Sequence, residues 1–228
     1  VSQELTRKDL DEACAVVGCQ LHQLKAVIEV EAAGNGFDQS GRPKVLFEPH
    51  LFTRELKKRG YSAEIIAHAE AAGIGSARWN KALYPKTADG RWDQIAKACE
   101  IDQEAGLASA SYGMGQVLGS NYKMCGFNSI TEFVQAMSQG EGQQVLAMVA
   151  FIMKRKLDDE IQREDWADFA AGYNGPSYAA NAYDEKLERA ATKHLADPEA
   201  FWRGKPNHGY AAGELHSLPE GTDHSPEA

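Results

Sequence analysis

Long apolar runs are missing from this 228-residue chain: no stretch approaches the roughly 20 apolar residues that a bilayer-crossing helix needs. We therefore expect a soluble protein with no membrane span. The first residues, VSQELTRKDLDEA, lack both the charged start and the apolar stretch of a signal peptide, so any targeting segment or partner domain is expected upstream of Val1. Cations are also scarce, with 24 Lys and Arg against 33 Asp and Glu and a net charge of −9. The last residues, ELHSLPEGTDHSPEA, contribute Glu214, Glu220, Asp223 and Glu227 without a single Lys or Arg, and the body without them is still acidic. A nucleic-acid groove needs clustered Lys and Arg to displace counterions, so a nucleic-acid partner is excluded. Cysteines number only four, Cys14, Cys19, Cys99 and Cys125, in no zinc spacing and with no accompanying His or carboxylate set. No metal and no organic cofactor is implied, and the cysteines read as free core thiols. Alternative disulfide pairings stay open for an oxidising compartment.

What the chain does have is helical periodicity and enough apolar residues, 43%, for one compact core. TRKDLDEACAVVG opens with Thr6 as N-cap and Asp9 three residues on, and closes at Gly18. LHQLKAVIEVEAAG, PHLFTRELKKRG, SAEIIAHAEAAG and RWDQIAKACEIDQEAG read as further helices. SQGEGQQVLAMVAFIMKRK is apolar almost all round between Val145 and Ile152, which predicts a buried central helix. DWADFAAGYNGPSYAANAYDEKLERAATKHL supplies two more, broken at Gly175-Pro176. Strand character is confined to RPKVLFE after a Ser40-Gly41 turn. The fold class is therefore mainly α (α+β) with a small β element: one domain over 1–204 and an irregular acidic tail over 205–228.

Three stretches carry chemistry. In AVIEVEAAGNGF, Leu24, Ile28 and Glu31 stand at i, i+4 and i+7, so Glu31 continues the apolar stripe while Glu29 falls beside it, near Lys25, read as solvated. Desolvation and the last carbonyls of the helix both push a carboxyl pKa up there, and a carboxyl that stays protonated is suited to general acid work. A partly buried glutamate satisfied by a neighbouring donor is the plainer alternative. In SYGMGQVLGSNY, Gly113 and Gly115 interrupt what reads as helix and would let a ligand approach the backbone, while Gln116 can donate and accept at once. In AGYNGPSY, Tyr173 and Asn174 precede a Gly-Pro break that would release side chains into a cleft, although Tyr-Asn-Gly is also an ordinary helix end.

In this order the three stretches resemble soluble lytic transglycosylases and goose-type lysozymes. AVIEVEAAGNGFDQSGRPKVLFEPHLF with ASYGMGQVLGSNY and YNG is closer still to the N-acetylmuramidase family of bacteriophage endolysins, over about residues 20–195. The resemblance implies a lysozyme-like fold with an inserted helical segment forming a small lobe across a cleft. It implies Glu31 as the catalytic acid, Gly113 to Gln116 lining a sugar groove, and Tyr173 and Asn174 flanking the acid. The substrate implied is the peptidoglycan glycan strand, cut at the β-1,4 bond between N-acetylmuramic acid and N-acetylglucosamine. The sequence departs from the transglycosylase pattern: Ala32 stands where a serine usually follows the glutamate, and a long insertion separates Glu31 from Gln116. Within the insertion Glu48 ends the strand-like run, in a layout similar to lysozymes with a second carboxylate on a β element, where it would hold a water or stabilise an oxocarbenium-like sugar. Asp38 is the reserve candidate. A structural carboxylate paired with Arg42, Arg54 or His50 is the alternative for Glu48, and His50 reads as a structural hydrogen-bonder. Of the aromatics Trp79, Tyr84, Trp92, Tyr112, Tyr122 and Trp202, the two flanking Gln116, Tyr112 and Tyr122, are taken as the sugar platforms. We expect a monomeric wall-lytic muramidase acting in the periplasm or outside the cell, with any wall-binding domain outside this chain. A lytic transglycosylase leaving anhydro ends, or a silent wall-binding or virion module, are the other classes; the silent module would not need Glu31 on an apolar stripe.

Overall fold

The computed structural model describes residues 4–31, 35–175 and 178–203; Ala32, Gly34, Pro176 and the acidic tail over 205–228 lie outside them. The fold is mainly helical with one small antiparallel sheet. Helix α1 (Arg7–Val17) begins with the reciprocal cap that its sequence specifies: Asp9 N–H donates to the Thr6 hydroxyl, and Thr6 N–H donates to the Asp9 carboxylate. Gly18 ends it in the left-handed conformation, and α2 (Leu21–Glu31) follows, burying Leu24, Val27 and Ile28. The loop after α2 folds back on itself, with Phe37 bridged to Pro43, and leads into β1 (Val45–Phe47).

The inserted segment consists of α3 (Pro49–Lys58), α4 (Ala63–Ala71), α5 (Ala88–Ile101) and α6 (Gln103–Ala108). The Ser62 and Thr87 hydroxyls cap α4 and α5 by accepting from the N–H groups of Ile65 and Gly90. Strands β2 (Ala110–Tyr112) and β3 (Val117–Leu118) complete the sheet in the order β1-β2-β3, with Val45 opposite Tyr112 and Tyr112 opposite Val117. The remaining helices are α7 (Ile130–Met137), α8 (Glu141–Lys154), α9 (Asp158–Arg163), α10 (Trp166–Asn174) and α11 (Tyr183–Ala196). One group packs α1, α2 and α8 to α11 together; the other is the sheet with α3 to α6, and α7 and β3 join the two through α8. A single apolar core runs through both groups.

Helix α8 is the central one. Val145, Met148 and Ile152 are fully buried, each worth roughly 1.5–3 kcal/mol of hydrophobic stabilisation. Its first turn is different, because Glu141 and Gln144 are polar and yet also buried. A carboxylate is tolerated at that place because the unpaired N–H groups of a helix N-terminus favour negative charge.

Two expectations are corrected. Residues 110–118 are a hairpin rather than a helix broken by glycines: inward Ala110 and Tyr112 alternate with outward Ser111, and Gly113 takes φ +69° at the turn. A side chain at Gly113 would also strike Gln144, whose Cδ is 2.6 Å from the position of a Cβ there. Lys25 is not solvated. It is 2% exposed, donates to the Pro198 carbonyl at 2.8 Å, and lies against the rings of Phe201 and Trp202.

Candidate active site

The apolar stripe of α2 delivers Glu31 to a half-buried position at the helix end, while Glu29 is exposed. The carboxylate of Glu29 is occupied by Lys193 at 2.8 Å and His194 at 2.7 Å. Glu31 instead meets Asn174, the last residue of α10, whose side-chain amide donates to Glu31 Oε1 at 3.0 Å. Burial pushes the Glu31 carboxyl above its ordinary value, while the Asn174 amide and the Lys186 ammonium pull it part of the way back. A carboxyl poised in this way keeps its proton to higher pH than a free glutamate and is held in one orientation while it does so.

Tyr173 connects this acid to the hairpin. Its ring stacks on Phe169 at 5.5 Å and meets Phe151 edge-on, and its hydroxyl donates to the Gly115 carbonyl at 3.2 Å. Burial first, and then the nearby Glu31, hold the phenol well above its ordinary pKa, so it remains a donor. The hairpin tip is thereby fastened beside the helix that carries Asn174. At the tip Gln116 is exposed and takes φ +45°. Its amide donates to the Gly113 carbonyl at 2.8 Å and the Lys44 carbonyl at 3.4 Å, which fixes the side chain and leaves Oε1 to accept from a ligand. Glu31, Tyr173, Asn174, Gly113 and Gln116 are thus brought into one linked region.

The loop behind the acid is held by α8. Glu141 accepts from Gly36 N–H at 2.6 Å and from Leu5 N–H at 3.0 Å. Gln144 accepts from Met114 N–H at 2.8 Å and donates to the carbonyls of Met137 at 2.9 Å and Gly36 at 3.4 Å. Only glycine fits at 36, since a Cβ there would lie 1.8 Å from Gln144 Oε1. One helix end therefore sets both the loop that follows Glu31 and the hairpin tip. Sequence reading missed these two residues; the available signal was a polar Gly-Glu-Gly-Gln-Gln run opening an otherwise apolar helix.

A cavity of about 610 Å³ opens along the loop after α2, lined by Asn35, Asp38, Arg42 and Lys44 with Thr87 and Asp89 from the start of α5. Asp38 accepts from the N–H groups of Ser40 and Arg42 and from the Arg42 guanidinium. Burial pushes its carboxyl up, but these donors outweigh burial and hold it below the usual carboxylate range.

Glu48 belongs to a different set of contacts. It precedes α3, accepts from the Tyr84 hydroxyl, and has His50 Nδ1 at 3.4 Å. Among the described residues, neither of these partners is hydrogen-bonded or ion-paired to Glu31. Beside Tyr84 stands Trp79, 60% exposed, with ring centroids 6.1 Å apart. The expected aromatic platform is corrected at Tyr112. Tyr112 is fully buried, donates to the Leu107 carbonyl at 3.0 Å and packs edge-on against Phe133, because the sheet register turns it inward. It cannot offer a face to a sugar. Tyr122 is half-buried against the core with the Lys123 ammonium 5.8 Å from its ring. Among the described residues, Trp79 is the large aromatic that is exposed.

Comparison with known proteins bears on what this arrangement is for. The model of the N-acetylmuramidase family matches residues 20–195. Among solved structures, the crystal structure of the Burkholderia AP3 phage endolysin superposes with a TM-score of 0.78 at 32% sequence identity, covering 85% of this chain and 73% of that one. No curated protein matches the chain.

Proposed function

The chain belongs to the N-acetylmuramidase family, and on that premise we propose that it cleaves the β-1,4 bond between N-acetylmuramic acid and N-acetylglucosamine in peptidoglycan, with Glu31 as general acid. The observation that carries the proposal is the Glu31–Asn174 pair: a half-buried carboxyl of raised pKa, oriented by a neutral amide donor. The Glu31 proton passes to the glycosidic oxygen as its bond to the anomeric carbon breaks. Positive charge then builds on the sugar ring. Gln116 Oε1 and the carbonyls of the hairpin tip are suited to accept from the hydroxyl or acetamido groups of the sugar, and Trp79 to lie against a ring further along the strand.

Two outcomes are open to the cation. In the first, which we favour, water attacks and leaves an ordinary reducing end. Glu48, which accepts from the Tyr84 hydroxyl, is the proposed partner for that water, with Asp38 in reserve. The second reading is favoured by one observation, that Asp38 and Glu48 already accept from Arg42 and Tyr84. With no free second carboxylate, the muramic acid hydroxymethyl oxygen closes onto its own anomeric carbon and gives an anhydro end. Digestion in water labelled with heavy oxygen distinguishes them by mass spectrometry of the muropeptides. Labelled muramic acid reducing ends that drop sharply in Glu48→Gln support the first reading. Unlabelled anhydro ends, lighter by one water, overturn it. The wall is the site of action in either case, reached from the periplasm or from outside.

A further inference from the structure

On a chain of net charge −9, one concave patch has the opposite sign. A cavity of about 340 Å³ lies between α2 and α11, lined by Glu29 and Val30 from the first helix and by Lys186, Arg189 and Lys193 from the second. The three cations stand at i, i+3 and i+7 and so share one face of α11. The single carboxylate of the lining, Glu29, is taken by Lys193 and the buried His194. Among the described residues Arg189 pairs only with Glu185, at 3.6 Å, both side chains about two-thirds exposed, a pairing that competes weakly with another anion. Lys186 reaches no carboxylate within salt-bridge distance among the described residues, and its ammonium rests 5.2 Å from the ring of Tyr183. Two cations are thus available in a recess. The recess adjoins the acid, since Val30 precedes Glu31 and the Lys186 charge is felt at the Glu31 carboxyl.

In a peptidoglycan strand N-acetylglucosamine is neutral, and the carboxylates belong to the peptide stem attached to muramic acid. We propose that the cavity between α2 and α11 binds carboxylates of the peptide stem on the muramic acid beside the scissile bond, with Lys186 and Arg189 as the cationic donors, making the enzyme selective for peptide-bearing glycan. The proposal rests on the reading of Glu31 as the acid acting at that muramic acid. A stem docked there would also seat the sugar, so binding at the recess should register in KM rather than in kcat.

The test compares intact peptidoglycan with the same material after its carboxyl groups have been amidated with carbodiimide and ammonia, which removes charge and keeps shape. Wild-type enzyme should show a KM about tenfold higher on the amidated substrate. Lys186→Gln/Arg189→Gln should show that rise already on intact peptidoglycan and little further change on the amidated form. Arg189→Gln alone, further along α11 from the acid, should give an intermediate loss of discrimination with an unmoved pH profile. Equal wild-type rates on both substrates, or a double variant that still discriminates between them, overturn the proposal alone. A wild-type enzyme that releases no muramic acid ends from either substrate overturns the reading of Glu31 and the proposal with it.

Discussion

Glu141→Gln is the substitution whose cost the structure specifies most closely. The side chain is 4% exposed, and each of its oxygens accepts a different backbone N–H, from Gly36 at 2.6 Å and from Leu5 at 3.0 Å. A glutamine keeps one acceptor and turns an NH₂ group toward the other N–H. One buried donor is then left without a partner, at about 1–3 kcal/mol, and the surviving bond falls from charge-assisted to neutral, at about 1 kcal/mol. The sum is about 2–4 kcal/mol, a large share of a domain's net stability. Urea unfolding followed by circular dichroism reads it directly as a lower midpoint at unchanged slope. Gly36 lies five residues past Glu31, so specific activity at a temperature where the variant is still folded should fall too. A loss of stability below about 0.5 kcal/mol, the ordinary range for surface substitutions, would refute the view that α8 holds the loop at Gly36.

Asn174→Ala removes the donor to Glu31 Oε1. That donor favours the charged carboxylate, so its loss should raise the Glu31 pKa further and move the alkaline limb of the pH–activity profile upward; a limb that stays or moves down contradicts the pairing. Tyr112→Phe should cost about 0.5–1.5 kcal/mol by removing the hydrogen bond to the half-buried Leu107 carbonyl, with specific activity of the folded enzyme preserved. A rise in KM instead would restore Tyr112 as a sugar platform.

The parts of this fold that were legible in sequence are those set by local rules. The Thr6–Asp9 cap, the glycine at 18 and the stripe that places Glu31 inward follow from spacing alone, and so does the burial of α8. What was not legible depends on partners distant in the chain. The Gly113–Gln116 segment has the composition of an interrupted helix, and only pairing of residues 110–112 with β1 makes it a hairpin. Tyr112 flanks Gln116 in sequence but faces the core in space, since side chains alternate along a strand. Lys25 looks solvated until residues 198–202 cover it. Lys186 and Arg189 resemble any exposed helix face, and their relation to Glu31 arises only when α11 packs along α2.

The central claim, that Glu31 is the acid of a peptidoglycan-cleaving site, is tested most directly by Glu31→Gln against Glu29→Gln in release of soluble muropeptides from purified peptidoglycan, with circular dichroism confirming the fold of both. Glu31→Gln should lose at least about 100-fold in rate, while Glu29→Gln, whose carboxylate faces Lys193 and His194, should stay within a few-fold of wild type. Wild-type rates in Glu31→Gln, or loss confined to Glu29→Gln, would contradict it.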